Sequence, residues 1–267
     1  MNETPRTPGD DATEAVRRYF DDRVDDWDRY YRGIGDHIHQ AVRDRLEIAL
    51  AMLEDLPRGA RVLDAGCGAG PLTIELARRG LEVDAVDIAP RMVERCRELL
   101  VEQGLAGAHT RCLTGNIDEL DLPRNSYAAI AALGYLQYQE DEASALRRFA
   151  ELLAPGGSLV VSGPVRPLYQ RARRRLAQLL GRRRGQPADE LQAISRHEYS
   201  RRRFRRLLEG AGLRVVRTCP HAFFNFDPLS SALGPGGRLT LHRWMRSLGR
   251  RVRLDPFARD MVVLARR

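Results

Sequence analysis

The sequence predicts an α/β fold: a mostly parallel sheet of seven strands with one antiparallel strand at its edge, helices on both faces and a basic helical cap over the cleft. Three observations predict it. Short apolar runs of strand length alternate with helical patterns through the middle of the chain. The first run breaks into a glycine loop, Asp64-Ala65-Gly66-Cys67-Gly68-Ala69-Gly70, and the second ends on the acidic residue Asp87. Two further strand-like runs come late, and the last finishes almost at residue 267.

In chain order, a helical pattern begins near Ala12 and carries Tyr19, Phe20, Trp27, Tyr30 and Tyr31, and a second helix is expected over 37–56. Strands follow over 61–65, 82–87, 109–113, 128–133 and 158–162, with helices between them such as 92–101 and 142–153. That alternation implies parallel strands joined by right-handed crossovers. Pro155-Gly156-Gly157 stops the helix before the fifth strand. Strands over 214–218 and 260–265 complete the sheet, and a strand that late closes one structural domain rather than two. The expected layout is an N-terminal helical lid over 1–56 and a body over 57–267, with cap insertions at about 165–197 and 221–257.

The glycine loop carries the chemistry. Gly66, Gly68 and Gly70 let the backbone turn sharply and approach a ligand that a Cβ would hold off. Asp87 follows Asp64 by about one strand-helix-strand unit, where a carboxylate can accept hydrogen bonds from ribose hydroxyls. The spacing is G-x-G-x-G, without the third glycine position of a dinucleotide loop. Asp64, just ahead of the loop, would repel a diphosphate and attract an ammonium group. A ribose, an amino acid ammonium and no phosphate describe S-adenosylmethionine.

In these residues the chain resembles the class I S-adenosylmethionine-dependent methyltransferases, with distant similarity to the quinone and porphyrin methyltransferases. The resemblance implies a Rossmann-like seven-stranded sheet. It also implies S-adenosylmethionine held by Asp64, Gly66, Cys67, Gly68, Gly70, Asp87 and the adjoining Ile88. Gly115-Asn116-Ile117 stands where the family has Gly-Asp, so Asn116 would accept from the adenine amino group through its amide oxygen, with Ile117 beside it. An asparagine in a turn reads equally well there. The family also folds an N-terminal segment across the cofactor, and an aromatic face favours the sulfonium cation. Tyr30 and Tyr31 are the candidates for that cover, with Phe20 and Trp27 read as core packing.

Composition bounds the rest. The basic count is all arginine, since the chain has no lysine, and an exclusion of that kind points first to genome base composition. The distribution is still asymmetric. Residues 1–163 carry 19 arginines against 29 acidic residues, a net of −10, while residues 164–267 carry 25 against 7, a net of +18. Basic amphipathic patterns run over 168–184, with Arg171, Arg173, Arg174 and Arg175 between apolar positions, and around Leu241, Trp244, Met245 and Leu248. A solvated face, a patch for an anionic membrane surface and a patch for nucleic acid are the three readings. Nucleic acid is disfavoured because no aromatic residues interleave with the arginines. Phe223, Phe224 and Phe226 would suit a lipid-like acceptor or plain core packing.

Four cysteines without pairing or zinc spacing predict a reduced, cytoplasmic setting and no metal. The first 30 residues are acidic and polar, unlike a signal peptide, and the longest apolar stretch, 128–136, is too short to span a bilayer. For catalysis, the segment after the fourth strand offers Tyr135, Gln137 and Tyr138. The similar methyltransferases often place a histidine where Gln137 stands, and a glutamine cannot take a proton. Elsewhere His221 is a candidate base, as are His37, His39 and His197, each read first as a surface or core histidine and only second as a catalyst. The expected activity is methyl transfer to an oxygen, nitrogen or carbon atom of a small or lipid-like acceptor. The alternatives are RNA methylation by the arginine-rich face and a non-catalytic methyltransferase-like binding subunit.

Overall fold

A computed structural model describes residues 8–32, 37–107, 109–167, 194–195, 197–222 and 258–267, with four isolated positions between 237 and 244. Its seven strands are β1 (Arg61–Ala65), β2 (Glu82–Asp87), β3 (Thr110–Thr114), β4 (Tyr127–Ala132), β5 (Leu153–Pro164), β6 (Arg214–His221) and β7 (Asp260–Arg266). The helices are α1 (Pro8–Asp21), α2 (Val24–Arg32), α3 (His37–Met52), α4 (Pro71–Arg78), α5 (Pro90–Glu102), α6 (Glu142–Leu152) and α7 (Arg201–Gly210). The strands form one sheet in the order β3-β2-β1-β4-β5-β7-β6. The pairs among β1 to β5 are parallel, and β7 runs antiparallel to both β5 and β6.

One expectation needs correction. The antiparallel strand is not at the edge but one place inside it, and β6 holds the edge. The C-terminal segment Met261-Val262-Val263 is apolar on both faces, which suits a position flanked by two strands; half of β6 is exposed and it carries Arg214, Arg217 and Pro220, which suit a free edge.

The parallel strands are apolar on both faces because helices cover both. Neighbouring residues therefore serve opposite layers. Val62, Ala129 and Val160 pack with Leu72 and Leu76 of α4 and Ala49 of α3, while Leu63, Ile130 and Leu159 pack with Leu146 and Phe149 of α6 and Phe204 of α7. The third helix thus contributes to the sheet core, although it lies within the segment expected to be lid. Helix starts follow their local chemistry. Pro71 and Pro90 open α4 and α5 at positions where a missing N–H costs nothing, and Asp141 Oδ1 accepts the N–H groups of Ala143 and Ser144 at the start of α6. Near the N-terminal end of the strands, buried Asp84 gathers Arg61, Arg111 and the Tyr127 hydroxyl at 2.6–2.8 Å. No helix among the described residues is long and apolar enough to cross a membrane.

The candidate cofactor and acceptor site

The strand order reverses between β1 and β4, so the loops leaving their C-terminal ends diverge and open a crevice. A cavity of about 250 Å³ lies there. One wall comes from Gly66, Gly68 and Ala69 after β1, Asp87 and Ile88 at the end of β2, and Asn116 and Ile117 after β3. The opposite wall is the segment after β4, including Tyr135, Gln137 and Tyr138. The roof is one face of α1, Thr13, Val16 and Phe20, continued by Trp27 of α2.

The three loop glycines are needed for three different reasons. Gly66, at φ +75°, faces Tyr135, whose ring edge would lie 3.0 Å from an added Cβ. Gly68, at φ +54°, has open space where a Cβ would sit and presents bare backbone to the cavity. Gly70, at φ +88°, is crowded from behind by Cys96 of α5, so a Cβ there would overlap the Cys96 sulfur. Gly70 and Cys67 consequently shape the loop without lining the cavity, and Cys67 is buried.

Asp87 lines the cavity with its carboxylate already oriented. Its Oδ2 accepts the Gly68 N–H at 2.8 Å and its Oδ1 accepts the Ala89 N–H at 2.9 Å. Asp64 sits behind the loop, 2% exposed, and accepts from the Thr73 hydroxyl at 2.6 Å. Burial pushes its carboxyl up to about 7, against the Thr73 bond, and the nearby charge of Asp87 adds to the rise. Burial raises Asp87 as well, with Asp21 adding to it. The crevice floor is therefore negative and undercompensated. Asp64 does not itself line the cavity.

Asn116 serves in a turn and in the lining at once, because its Oδ1 accepts the Asp118 N–H at 3.2 Å. That bond occupies one lone pair of the oxygen expected to face an adenine. Among the histidines, His221 is buried, 3.8 Å from Asp260, and does not line the cavity. His197 lies beside the β4 segment, with Nε2 2.8 Å from the Gln139 carbonyl. The side chains of Tyr30, Tyr31, His37 and His39 lie outside the described residues, as do 168–193, 223–236 and most of 237–257, where the basic amphipathic patterns and Phe223 to Phe226 fall.

Several lining residues were not anticipated. Phe20 and Trp27, assigned to core packing, do pack with Val24 and Met92 but also roof the cavity, where Phe20 meets Tyr138 edge-on at 5.4 Å. The spacing of Thr13, Val16 and Phe20 places them on one face of α1, a signal that was present in the sequence. Asp21 fastens this roof by accepting the Arg91 N–H at 2.9 Å at the uncapped start of α5. Arg45 of α3 is the single cation among the described lining residues, loosely paired with Asp260 at 3.8 Å. No group of three or more His, Cys, Asp or Glu side chains suited to a metal occurs among the described residues.

A family model described as a methyltransferase domain matches residues 35–218, more than half of the chain. The chain belongs to this methyltransferase-domain family. A ubiquinone biosynthesis O-methyltransferase of Xanthomonas axonopodis pv. citri (strain 306) is 37% identical over 119 residues, 44% of this chain and 48% of that protein. One from Alkalilimnicola ehrlichii (strain ATCC BAA-1101 / DSM 17681 / MLHE-1) is 31% identical over 160 residues, covering 57% and 64%. Alignments with such curated relatives span 42–64% of the relatives' length. Among solved structures, magnesium protoporphyrin IX methyltransferase from Synechocystis PCC 6803 with bound SAH superposes with a TM-score of 0.65 at 20% identity, over 95% of this chain and 99% of that one. A [4+2]-cyclase superposes equally well, at 0.66 and 18% identity over 96% of each chain. This family fold therefore hosts more than one chemistry, and function has to be argued from the site.

Proposed function

We propose that this methyltransferase-family chain transfers a methyl group from S-adenosylmethionine to an oxygen, nitrogen or carbon atom of a small or lipid-like acceptor. One observation carries the reading: a bare glycine backbone at Gly68 beside a pre-oriented Asp87, in a crevice where Asp64 and Asp87 have no ion-pair partner among the described residues. A cofactor with a ribose and net positive charge answers both features. Its amino acid end also carries a carboxylate, and Arg45 supplies the cation for it.

The cofactor when bound supplies an already activated methyl group, so the protein's work is orientation and exclusion of water. Asp87 would hold the ribose hydroxyls, while Ile88, Met92 and Ile117 give apolar surface for the base. Phe20, Trp27 and Tyr138 close the roof, and their faces suit a neighbouring cation. On the acceptor side, Gln137 can orient a polar group but cannot deprotonate it. Glu140, also in the lining, has the chemistry to accept a proton from a hydroxyl or ammonium acceptor. O-methylation by the curated relatives favours a hydroxyl. A peripheral contact with an anionic membrane surface, through the arginines of 171–184 and 246–253, extends the reading to a lipid-like acceptor on charge grounds alone.

Calorimetry with S-adenosylhomocysteine tests the cofactor. Asp87→Ala should weaken binding by about 100-fold or more, since two hydrogen bonds to a charged group are worth about 3 kcal/mol or more together. Incubation of labelled S-adenosylmethionine with lipid extract, small-molecule pools and total RNA identifies the acceptor class. Absence of binding, together with an Asp87→Ala variant indistinguishable from the parent, would sink the proposal. Binding without label transfer to any pool would favour the non-catalytic reading.

A further inference from the structure

We infer that His197 is a positioning residue of the acceptor site, holding residues 137–139 in place by two donated hydrogen bonds. The inference rests on the acceptor reading of the β4 segment given above. That segment is a 3₁₀ turn, Leu136–Tyr138, held internally by Tyr138 N–H to Tyr135 O at 3.1 Å and Gln139 N–H to Leu136 O at 3.2 Å. So short a turn makes only these two internal bonds, and the carbonyls of Gln137 and Gln139 take their partners from outside it. His197 binds it from outside the cavity. Its backbone N–H donates to Gln137 O at 3.3 Å, and its ring Nε2 lies 2.8 Å from Gln139 O and 2.9 Å from Glu142 Oε2.

Both partners of Nε2 are acceptors, so the nitrogen carries its proton and donates to them in a shared bond. Glu142 also holds Arg203 of α7, so its charge has a partner independent of the imidazole. The base on which His197 stands is firm. Tyr199, two residues on, is fully buried and stacked on Phe204 at 4.8 Å, with its N–H donating to Pro164 O at 2.8 Å and its carbonyl accepting the Arg166 N–H at 3.0 Å. His197 therefore transfers the rigidity of the β5 end to a turn whose side chains Gln137, Tyr138 and Gln139 line the cavity. It acts through that turn and does not itself line the cavity.

The test uses the full chain with His197→Ala and His197→Gln, the latter keeping an N–H donor. Three quantities are measured: amide hydrogen exchange over 136–140, the Kd for S-adenosylhomocysteine, and steady-state methyl transfer to caffeate as a phenolic probe. In His197→Ala, exchange at Tyr138 and Gln139 should accelerate at least tenfold while the Kd stays within twofold. The KM for caffeate should rise at least tenfold with kcat within threefold, as expected for lost positioning that ground and transition states share. His197→Gln should recover most of each change. Unchanged exchange in His197→Ala, a Kd that rises in step with the exchange rate, or a Gln variant no better than Ala overturns the inference. If even the parent methylates neither caffeate nor any pool while exchange responds as described, the acceptor reading fails and the brace stands.

Discussion

Two ends of one sheet hold buried carboxylates in opposite states. At the N-terminal end, Asp84 is 3% exposed, and burial alone would push its carboxyl up. Hydrogen bonds from Arg111, Tyr127 and Arg61 overcome that and hold it below the ordinary carboxylate range. At the C-terminal end, Asp64 is buried and Asp87 half-buried, with no ion pair to a cation among the described residues; a hydroxyl and backbone N–H groups only partly offset desolvation, and both carboxyls are raised. A structural carboxylate comes with its counter-charges built in. Under the proposed function, the uncompensated carboxylates at the other end leave that place for the ligand.

The sharpest way to break this contrast is to remove the compensated charge. Asp84→Ala should cost about 3 kcal/mol in urea unfolding, chiefly from the orphaned Tyr127 hydroxyl, because Arg61 and Arg111 are partly in water and contribute less. S-adenosylhomocysteine affinity should stay within twofold. Asp64→Asn should do the reverse and stabilise the protein by about 2 kcal/mol at pH 8 while weakening cofactor binding. The sign follows from the shifts. Asp64 is raised to about 7, so its contribution is fully present below about pH 4 and is lost as pH rises through about 7. The advantage of the Asn variant should therefore shrink as the pH falls below about 7 and vanish only below about pH 4. Asp84, being lowered, contributes stability above about pH 4 that is lost as the pH falls further. The smallest expected effect is at Arg45, where Arg45→Gln should weaken S-adenosylhomocysteine by about tenfold, or 1.4 kcal/mol. A loss of stability at unchanged affinity would instead make Arg45 a partner of Asp260 alone.

Legibility in the sequence followed chain locality. The loop from Gly66 to Gly70, Asp87 one unit later and five of the seven strands lie within about 100 residues, and each can be read from its own neighbours. The roof could not be read that way. Apolar periodicity says that α1 has a face, not that the face covers a cavity; the Asp21 contact with the start of α5, 70 residues away, decides that. For the same reason the spacing did not show that Phe20 and Trp27 line the roof. Nor could spacing distinguish His197 from any other histidine, since its partners at 137, 139 and 142 are brought to it by the return of the chain at Tyr199.

By itself the sequence determined the strand and helix alternation, the glycine loop with its acidic neighbour, and through them the family and the cofactor to expect. These depend on backbone conformation and on charges close together in the chain, which residue order encodes directly. Only the tertiary structure decided that β7 sits inside the edge, that Asp64 lies buried behind the loop, and that Arg45, Phe20 and Trp27 line the cavity. Each of these depends on which surfaces pack together, and burial that raises a carboxyl or aligns an aromatic roof exists only once they have.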